Sequence, residues 1–492
     1  MGAAEEVGGD PLILVSNRGP VEYSRRDGER TATPGHGGLV TALAGLAGHL
    51  NDAVWVCAAL SDEDAAVSRE HDGAAFDHDG SGPHLRLRMV TLDADEQHKF
   101  YAVVSNPLLW FVQHYLWDLG DTPDITGLEV DAFDNGYVPV NAAFADAVAD
   151  EVEARGGRAT VMVQDYHLYL VPERVRARCP EVFLHHFVHI PWPHPDAWRV
   201  LSPPMRKAVF HGVLGNDIVA FHSRRYARNF VLGCQELLGL PVDLDALTVE
   251  IDGRTVHARC YPISVDPDEL EAAAGSSAVA DHERRLTGAR REHLIVRVDR
   301  ADPSKNILRG FRAFDLLLAD HPELAGRVTF LALVQPSRQD VEQYVEYLDK
   351  IRELVDEVNR RHGTDDWKPV ELSLEGDFDE VLAAYKCFDV LVVNPISDGM
   401  NLVAKEGALV NPGHGVLALS ENAGAFEELG EFAVTLHPFD LQQQADAMFA
   451  ALTLDPDDRR LRLAGAAAQV RENDVAKWLR DQLRDVAELR SD

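Results

Sequence analysis

Residues 394–406 read N-P-I-S-D-G-M-N-L-V-A-K-E, and this stretch decides the fold. The apolar run Phe388 to Val393 before it has the length and composition of a buried strand. A turn carrying Ser397, Asp398 and Gly399 follows, then a helix-compatible run from Asn401. Strand, tight turn and helix is the unit with which an open α/β sheet holds a phosphate-bearing ligand. Asp398 in the turn and Glu406 on the helix stand eight residues apart, a rise of about 12 Å on an α-helix. Two acids so placed suit the two ends of an extended ligand, such as a sugar and a ribose. Taken alone, a helix cap plus a solvated glutamate is the simpler reading.

The same unit recurs on both sides. Upstream, Leu294 to Val298 reads as a strand, followed by D-R-A-D-P-S-K-N at 299–306 and a helix through about Leu318. Arg300 and Lys305 frame that strand-to-helix turn, and two cations beside a helix N-terminus make a local anion site. The alternative is a pair of surface cations bonded to neighbouring acids. Val328 to Val334 ends at Gln335-Pro336-Ser337-Arg338, and Val370 to Leu374 precedes Glu375-Gly376-Asp377-Phe378. Gly415 to Ser420 is a further strand, and Arg459 to Leu489 is helical and charged.

The first half has the same rhythm. Leu12 to Val15 is a strand ending in Ser16-Asn17-Arg18-Gly19-Pro20. Gly35-His36-Gly37-Gly38 precedes a helical run, Leu39 to Leu50, where glycines let backbone N–H groups approach a ligand. Ala53 to Ala59 and Leu85 to Leu92 read as strands, and Asp93-Ala94-Asp95 as a solvated loop. Phe100 to Trp117 predicts an aromatic helix of core type, in which Tyr101 and Trp110 have the half-polar character of a sugar pocket. Thr160 to Val163 ends in Gln164-Asp165-Tyr166-His167, and Val182 to Val188 in His189-Ile190-Pro191-Trp192-Pro193. Polar groups at successive strand ends mark the ligand edge of an α/β sheet. Asp252-Gly253 signals a hairpin, and Tyr261 to Pro267 a domain junction.

The expected fold class is therefore α/β, with two doubly wound Rossmann-like domains facing a cleft. The expected divisions are residues 1–264 for the first domain, 265–455 for the second and 456–492 for a C-terminal helical segment. A chain of 492 residues is too long for one ordinary core. Its 46% hydrophobic and 26% charged content is that of a soluble globular protein. A net charge of -34 argues against nucleic acid or an anionic membrane as partner, and makes any anionic ligand depend on a local basic pocket. Ordinary solubility accounts for that charge; modest salt adaptation is the alternative. The five cysteines include no C-x-x-C pair and read as free thiols of a reducing cytoplasm. Neither a signal peptide nor a membrane span is evident, so the expected location is cytoplasmic. Oligomeric state is left open, a homo-oligomer included. No serine elbow, H-E-x-x-H, Walker A or zinc cysteine cluster is present. Diphosphate binding with polyol-reading groups around it is the best-supported chemistry, which suits transfer from a nucleotide sugar.

The ordered motifs resemble those of the retaining trehalose-6-phosphate synthases, enzymes of glycosyltransferase B architecture. They are V-S-N-R at 15–18, G-G-L at 37–39, S-N-x-x-L-W at 105–110, D-Y-H at 165–167, H-I-P-W-P at 189–193, R-x-D-x-S-K at 300–305, P-S-R at 336–338 and D-G-M-N-L-V-A-K-E at 398–406. The resemblance implies transfer of glucose from UDP-glucose to glucose 6-phosphate with retention. It implies that Arg18 and Arg338 grip the acceptor phosphate, with Tyr101, Trp110 and Asp165 in the acceptor pocket. It implies a donor site of Gly37, Gly38, Arg300, Lys305, Phe378 at the base, Asp398 at the sugar, Leu402, Val403, Ala404 and Lys405, and Glu406 at the ribose. Arg300 and Lys305 would stabilise the leaving diphosphate without a metal or other cofactor. With no side-chain nucleophile evident, front-face attack follows, the departing phosphate taking the acceptor's proton and His189 stabilising the glucosyl cation. The family's last helix crosses back to the first domain.

Three positions depart from the pattern. Ala58 stands where the family's W-x-G-W has its second Trp, Pro303 replaces a common Tyr, and Asn306 a common Gly. They leave open a related transferase with another acceptor, such as a glucosylglycerol-phosphate synthase or a cyclitol-coupling pseudo-glycosyltransferase. UDP, GDP and ADP remain open on the donor. A silent sugar-phosphate-binding regulator is the reading from a different class, against which the retained Arg18, Asp165, Arg300, Lys305, Arg338 and Glu406 all argue.

Overall fold

Apolar runs of four to eight residues, bounded by polar turns, fold as strands when helices cover both faces of the sheet they enter. Leu12–Val15 and Val390–Val393 are buried at every position. The computed structural model describes residues 11–26, 28–35, 53–78 and 85–491. Two units emerge. Residues up to Tyr261 join those from Lys477 onward in one, and Pro262–Ala476 form the other.

The first unit is built on a ten-stranded sheet. In chain order its strands are β1 (Leu12–Val15), β4 (Ala53–Ala58), β5 (Phe76–Asp77), β6 (Leu85–Val90), β7 (Thr160–Gln164), β8 (Phe183–Phe187), β9 (Ile218–Phe221), β10 (Val242–Asp243), β11 (Thr248–Ile251) and β12 (Arg254–Cys260). The spatial order is β10-β11-β12-β9-β8-β7-β1-β4-β6-β5. From β12 to β6 every pairing is parallel, and antiparallel strands lie only at the edges. β1 pairs with β4 on one side and β7 on the other, so the winding reverses beside it. The crevice outside the carboxyl ends of β1 and β7 is thus the ligand-binding position of this topology. Asp252 and Gly253 both take positive φ, 50° and 74°, as a tight hairpin turn requires.

Two further strands, β2 (Val21–Arg26) and β3 (Glu29–Pro34), make a separate antiparallel hairpin that the polar sequence there did not announce. The aromatic stretch after Phe100 also differs from expectation. A wide-turned helix spans Lys99–Leu109, Asn106 inside it is extended (φ -133°, ψ 109°), and an α-helical turn covers Trp110–Gln113. Pro107 is the cause: it lacks an N–H and excludes the α region for the residue before it. Asp93 caps the helix Ala94–His98 by accepting the N–H groups of Asp95 and Glu96. The C-terminal helical stretch is two helices, Pro456–Glu472 and Val475–Ser491. Within the first unit the second of these sets Trp478 edge-on to Phe187, with centroids 5.3 Å apart. Its Asp485 accepts the Tyr261 hydroxyl at 2.6 Å.

The second unit holds six parallel strands: β13 (His293–Arg300), β14 (Val328–Gln335), β15 (Val370–Ser373), β16 (Val390–Val393), β17 (Val416–Ser420) and β18 (Val434–Leu436). Their order is β15-β14-β13-β16-β17-β18. The reversal falls at β13, which pairs with β14 and β16. Phe311 and Phe314, on the helix Ile307–Asp320, meet Phe330 of β14 edge-on at 5.4 and 5.2 Å. All three rings are fully buried, each contributing roughly 1.5–3 kcal/mol of transfer free energy.

Candidate active site

In the second unit, the turns that follow β13 and β16 are the two singled out in the sequence, and the reversal of winding brings them together. Asp302 shapes the first: its Oδ1 accepts the Ser304 N–H at 2.9 Å and the Ser304 hydroxyl at 2.8 Å. Pro303 starts the 3₁₀ turn Pro303–Lys305, and Asn306 ends it in the left-handed region at φ 58°. Pro suits the first position of such a turn, and Asn is among the few non-glycine residues that tolerate φ > 0. Two of the three departures are therefore compatible with the backbone. The Asn306 amide donates to the carbonyls of Asn394 and Pro438 at 3.0 and 2.7 Å, adding a tether between the turns.

Lys305 forms an ion pair with Asp398, and Asn401 donates to the same carboxylate oxygen at 3.0 Å. The Asp398 turn is backed by residues 421–425. Asp398 N–H donates to Asn422 O at 3.2 Å and Gly424 N–H to Asp398 O at 3.1 Å. A Cβ at Gly424 would meet Gly399 O at 1.9 Å, so only glycine fits there. Arg300 ends β13 and is exposed. The helix Leu402–Val410 begins with no side-chain cap, which leaves its first N–H groups for a ligand or water. Leu402 and Val403 are half-buried and Ala404 is buried. The Lys405 ammonium is turned into the protein, 2.6 Å from Glu428 and 2.9 Å from Ile263 O. What Lys405 can offer a donor is its backbone. Glu406 Oε2 accepts the Tyr385 hydroxyl at 2.8 Å, and burial pushes the Glu406 carboxyl above its ordinary range. Phe378, first residue of the helix Phe378–Cys387, is 54% exposed, as a stacking platform would be.

Arg338 sits at positive φ (48°), its guanidinium 2.8 Å from Asp302 Oδ2 and bonded to the Tyr344 hydroxyl. The cation therefore also braces the Asp302 turn. Arg297, Asn394 and Tyr385 are site-building residues that the sequence reading passed over. Arg297 is fully buried in β13. Its guanidinium donates to Asp299 Oδ2 at 2.8 Å and to Lys305 O and Asn394 Oδ1 at 3.0 Å each, joining both turns. A charge inside a run otherwise reading as buried strand was the available signal.

In the first unit, Arg18, Asp165 and His189 follow β1, β7 and β8. Arg18 is more than half exposed and lies 3.6 Å from Glu22. Beneath it, Ser16 Oγ donates to Arg18 O and accepts from Trp55 Nε1 at 2.7 Å, and Ala58 N–H donates to Asn17 O at 3.1 Å. The third departure, Ala58, thus lies buried against the turn that carries Arg18. Asp165 has φ 69° and ψ 174°, a region almost reserved for glycine. Three bonds hold it there: its N–H to Phe187 O at 2.7 Å, its carbonyl to His186 Nε2 at 2.9 Å, and its Oδ1 to His189 N–H at 3.2 Å. The His189 ring bonds Gln164 Oε1 through Nε2 at 2.9 Å. Gln164 gives its own amide N–H to Met162 O at 3.3 Å, so the imidazole proton resides on Nε2. Burial, reinforced by His222, His186 and His185, pushes His189 well below the usual histidine range. It is a neutral hydrogen-bonding group rather than an acid–base shuttle at pH 7. Tyr101 stacks on His167 with centroids 6.0 Å apart, and Trp110, buried, lies 4.0 Å from the His114 ring and 5.5 Å from Tyr166.

The expected site residues thus fall into two sets: Arg18, Tyr101, Trp110, Asp165 and His189 in the first unit, and Arg300, Lys305, Arg338, Phe378, Asp398 and Leu402 to Glu406 in the second. Gly37 and Gly38 lie outside the described residues. Among the described residues no cluster of three or more His, Cys, Asp or Glu could hold a metal, and no helix is long and apolar enough to cross a membrane. Cys57, Cys179, Cys234 and Cys387 are free thiols and buried.

The sequence matches glycosyltransferase family 20 over residues 10–488. It is 33% identical to a trehalose-6-phosphate synthase of a Mycobacterium species, over 98% of this chain and 96% of that one. A UDP-forming α,α-trehalose-phosphate synthase from Burkholderia vietnamiensis has a similar structure, with TM-score 0.81 and 30% identity, covering 98% of this chain and all of the other. The counterpart from Burkholderia xenovorans, solved in complex with glucose 6-phosphate, gives TM-score 0.81 and 27% identity over 96% of this chain and 99% of its own.

Proposed function

The chain belongs to glycosyltransferase family 20, and from that premise we propose that it makes trehalose 6-phosphate. It is a retaining glycosyltransferase that moves glucose from a nucleotide-glucose, UDP-glucose first among them, to glucose 6-phosphate. The observation that carries this reading is the Lys305–Asp398 ion pair at the reversal of the second sheet. It brings a cation and a carboxylate side by side at one sheet edge, which suits a diphosphate and sugar hydroxyls, with Arg300 at the adjoining strand end.

The chemistry follows from that placement. As the glycosidic bond breaks, negative charge grows on the leaving diphosphate, and Arg300 and Lys305 stabilise it more in the transition state than in the ground state. Asp398 and the backbone after it hold the sugar hydroxyls; Glu406 takes the ribose, and Phe378 the base. The second unit is the donor half. Arg18, Tyr101, Trp110, Asp165 and Arg338 are the groups that receive glucose 6-phosphate. A neutral His189 offers its backbone carbonyl to the developing glucosyl cation, and the departing phosphate takes the acceptor's proton, which accounts for retention without a protein nucleophile. The four buried free thiols suit a reducing cytoplasm.

The test is product formation from glucose 6-phosphate with UDP-, GDP- and ADP-glucose, read as trehalose 6-phosphate with both anomeric carbons α. Turnover with glycerol 3-phosphate or a cyclitol phosphate in place of glucose 6-phosphate would reassign the acceptor. Tight binding without product from any donor would favour the silent regulator.

A further inference from the structure

We propose that Tyr385 is the positioning residue for the Glu406 carboxylate and thereby sets the enzyme's preference for an unmodified ribose on its donor. The proposal rests on the reading of Glu406 as the ribose contact. Tyr385 is fully buried on the helix Phe378–Cys387, and its hydroxyl reaches Glu406 Oε2 at 2.8 Å. Its backbone is anchored too. Asn411 Nδ2 donates to Tyr385 O at 3.1 Å and to Phe388 O at 3.0 Å, while Asn411 Oδ1 accepts the N–H groups of Gly413, His414 and Gly415. The phenol therefore stands at a fixed point.

Glu406 differs from three acids of the second unit that are withdrawn from solvent with a cation beside them. Asp398 has Lys305, Asp299 has Arg297, and Glu428 has Lys405. Among the described residues, Glu406 has one partner, the Tyr385 hydroxyl, and that partner is neutral. Burial accordingly pushes its carboxyl upward, with the Tyr385 hydrogen bond opposing. A carboxylate offers about four acceptor directions; the phenol fills one and orients the rest. Two vicinal hydroxyls are donors of the kind such a half-satisfied group lacks, and an absent hydroxyl would leave it unpaired at a cost. Helix geometry supports the placement. Phe378 and Tyr385 are seven residues apart, two turns on one face and about 10 Å along the axis. One helix face thus presents an exposed aromatic for a base at its start, and two turns on it fixes the carboxylate for the adjoining sugar.

The experiment is calorimetric binding of UDP and of 2′,3′-dideoxyuridine diphosphate to the full chain, which needs no turnover. The wild type is expected to prefer UDP by about tenfold or more, as for a charged acceptor losing its donors. Tyr385→Phe is expected to lose most of that ratio by weakening UDP while leaving the dideoxy ligand unchanged. Equal weakening of both ligands, or an undiminished ratio, overturns the proposal. Glu406→Gln separates the two levels: if it keeps the wild-type ratio, the ribose reading fails and the proposal falls with it. If it loses the ratio while Tyr385→Phe retains it, only the role of Tyr385 falls. Should Tyr385→Phe not fold, 3-fluorotyrosine at position 385 strengthens the phenol as a donor, and a ratio unchanged from wild type then overturns the proposal.

Discussion

Lys305 and Asp398, 93 residues apart in the chain, form an ion pair across the ends of β13 and β16. Both side chains are largely withdrawn from solvent, at 14% and 15% exposure, so water screens the pair less than it would a surface bridge. On the proposed reading, with a donor phosphate beside Lys305 and a sugar hydroxyl beside Asp398, the site is polarised before the ligand arrives.

Lys305→Ala and Arg300→Ala are each expected to lower kcat by about 10²–10³-fold, the usual effect of removing one stabiliser of developing charge. Steady-state kinetics with circular dichroism checks this. Wild-type kcat in both variants would remove the donor assignment.

Asp165 is held in a glycine-type conformation, which costs about 1–3 kcal/mol for a residue with a Cβ. Asp165→Gly and Asp165→Ala both lose the carboxylate that accepts the His189 N–H. Only the alanine keeps the strain. Urea unfolding should therefore rank the glycine variant above the alanine variant by about 1–2 kcal/mol, both being inactive. Equal stabilities would show that the backbone there carries no strain.

Removing the Arg297 cation leaves Asp299 buried without its partner. Asp299 already sits above the ordinary carboxyl range because burial outweighs the opposing pull of Arg297 and Lys305. Arg297→Met should destabilise the fold by about 3–5 kcal/mol, and Arg297→Met combined with Asp299→Asn should recover much of that loss. Denaturant melts of the two single variants and the double variant complete the cycle; strict additivity would show the pair uncoupled.

His185 is fully buried, and burial pushes it down to about 3. Its neutral form is thus the folded form. The stability it lends is fully present above the ordinary histidine value, and it is lost as pH falls from there toward about 3. His185→Phe should stack with Phe187 and Tyr261 as the imidazole does. Melting temperatures at pH 7 and pH 5 should converge in that variant relative to wild type. An unchanged acid sensitivity would place the responsible group elsewhere.

The fold was legible because strands buried on both faces leave continuous apolar runs. Leu12–Val15 has the bounds expected of it, and the other strands expected from the sequence differ by one to three residues. The hairpin Val21–Arg26 and Glu29–Pro34 was not legible, since its residues are mostly exposed and carry no apolar alternation. The aromatic stretch departs from the expected continuous helix at Asn106, where the effect of Pro107 on the preceding residue outweighs the aromatic character that suggested one.

By itself the sequence determined which side chains stand at strand ends, because burial period and turn chemistry are local properties of the chain. It could not say which strand ends become neighbours. That depends on where each sheet reverses its winding, between β1 and β7 in the first unit and between β13 and β16 in the second. Only that reversal sets Lys305 on Asp398, turns the Lys405 ammonium away to Glu428, and leaves Glu406 with a phenol instead of a cation. These pairings join residues far apart in the chain, and only packing at the sheet decides them.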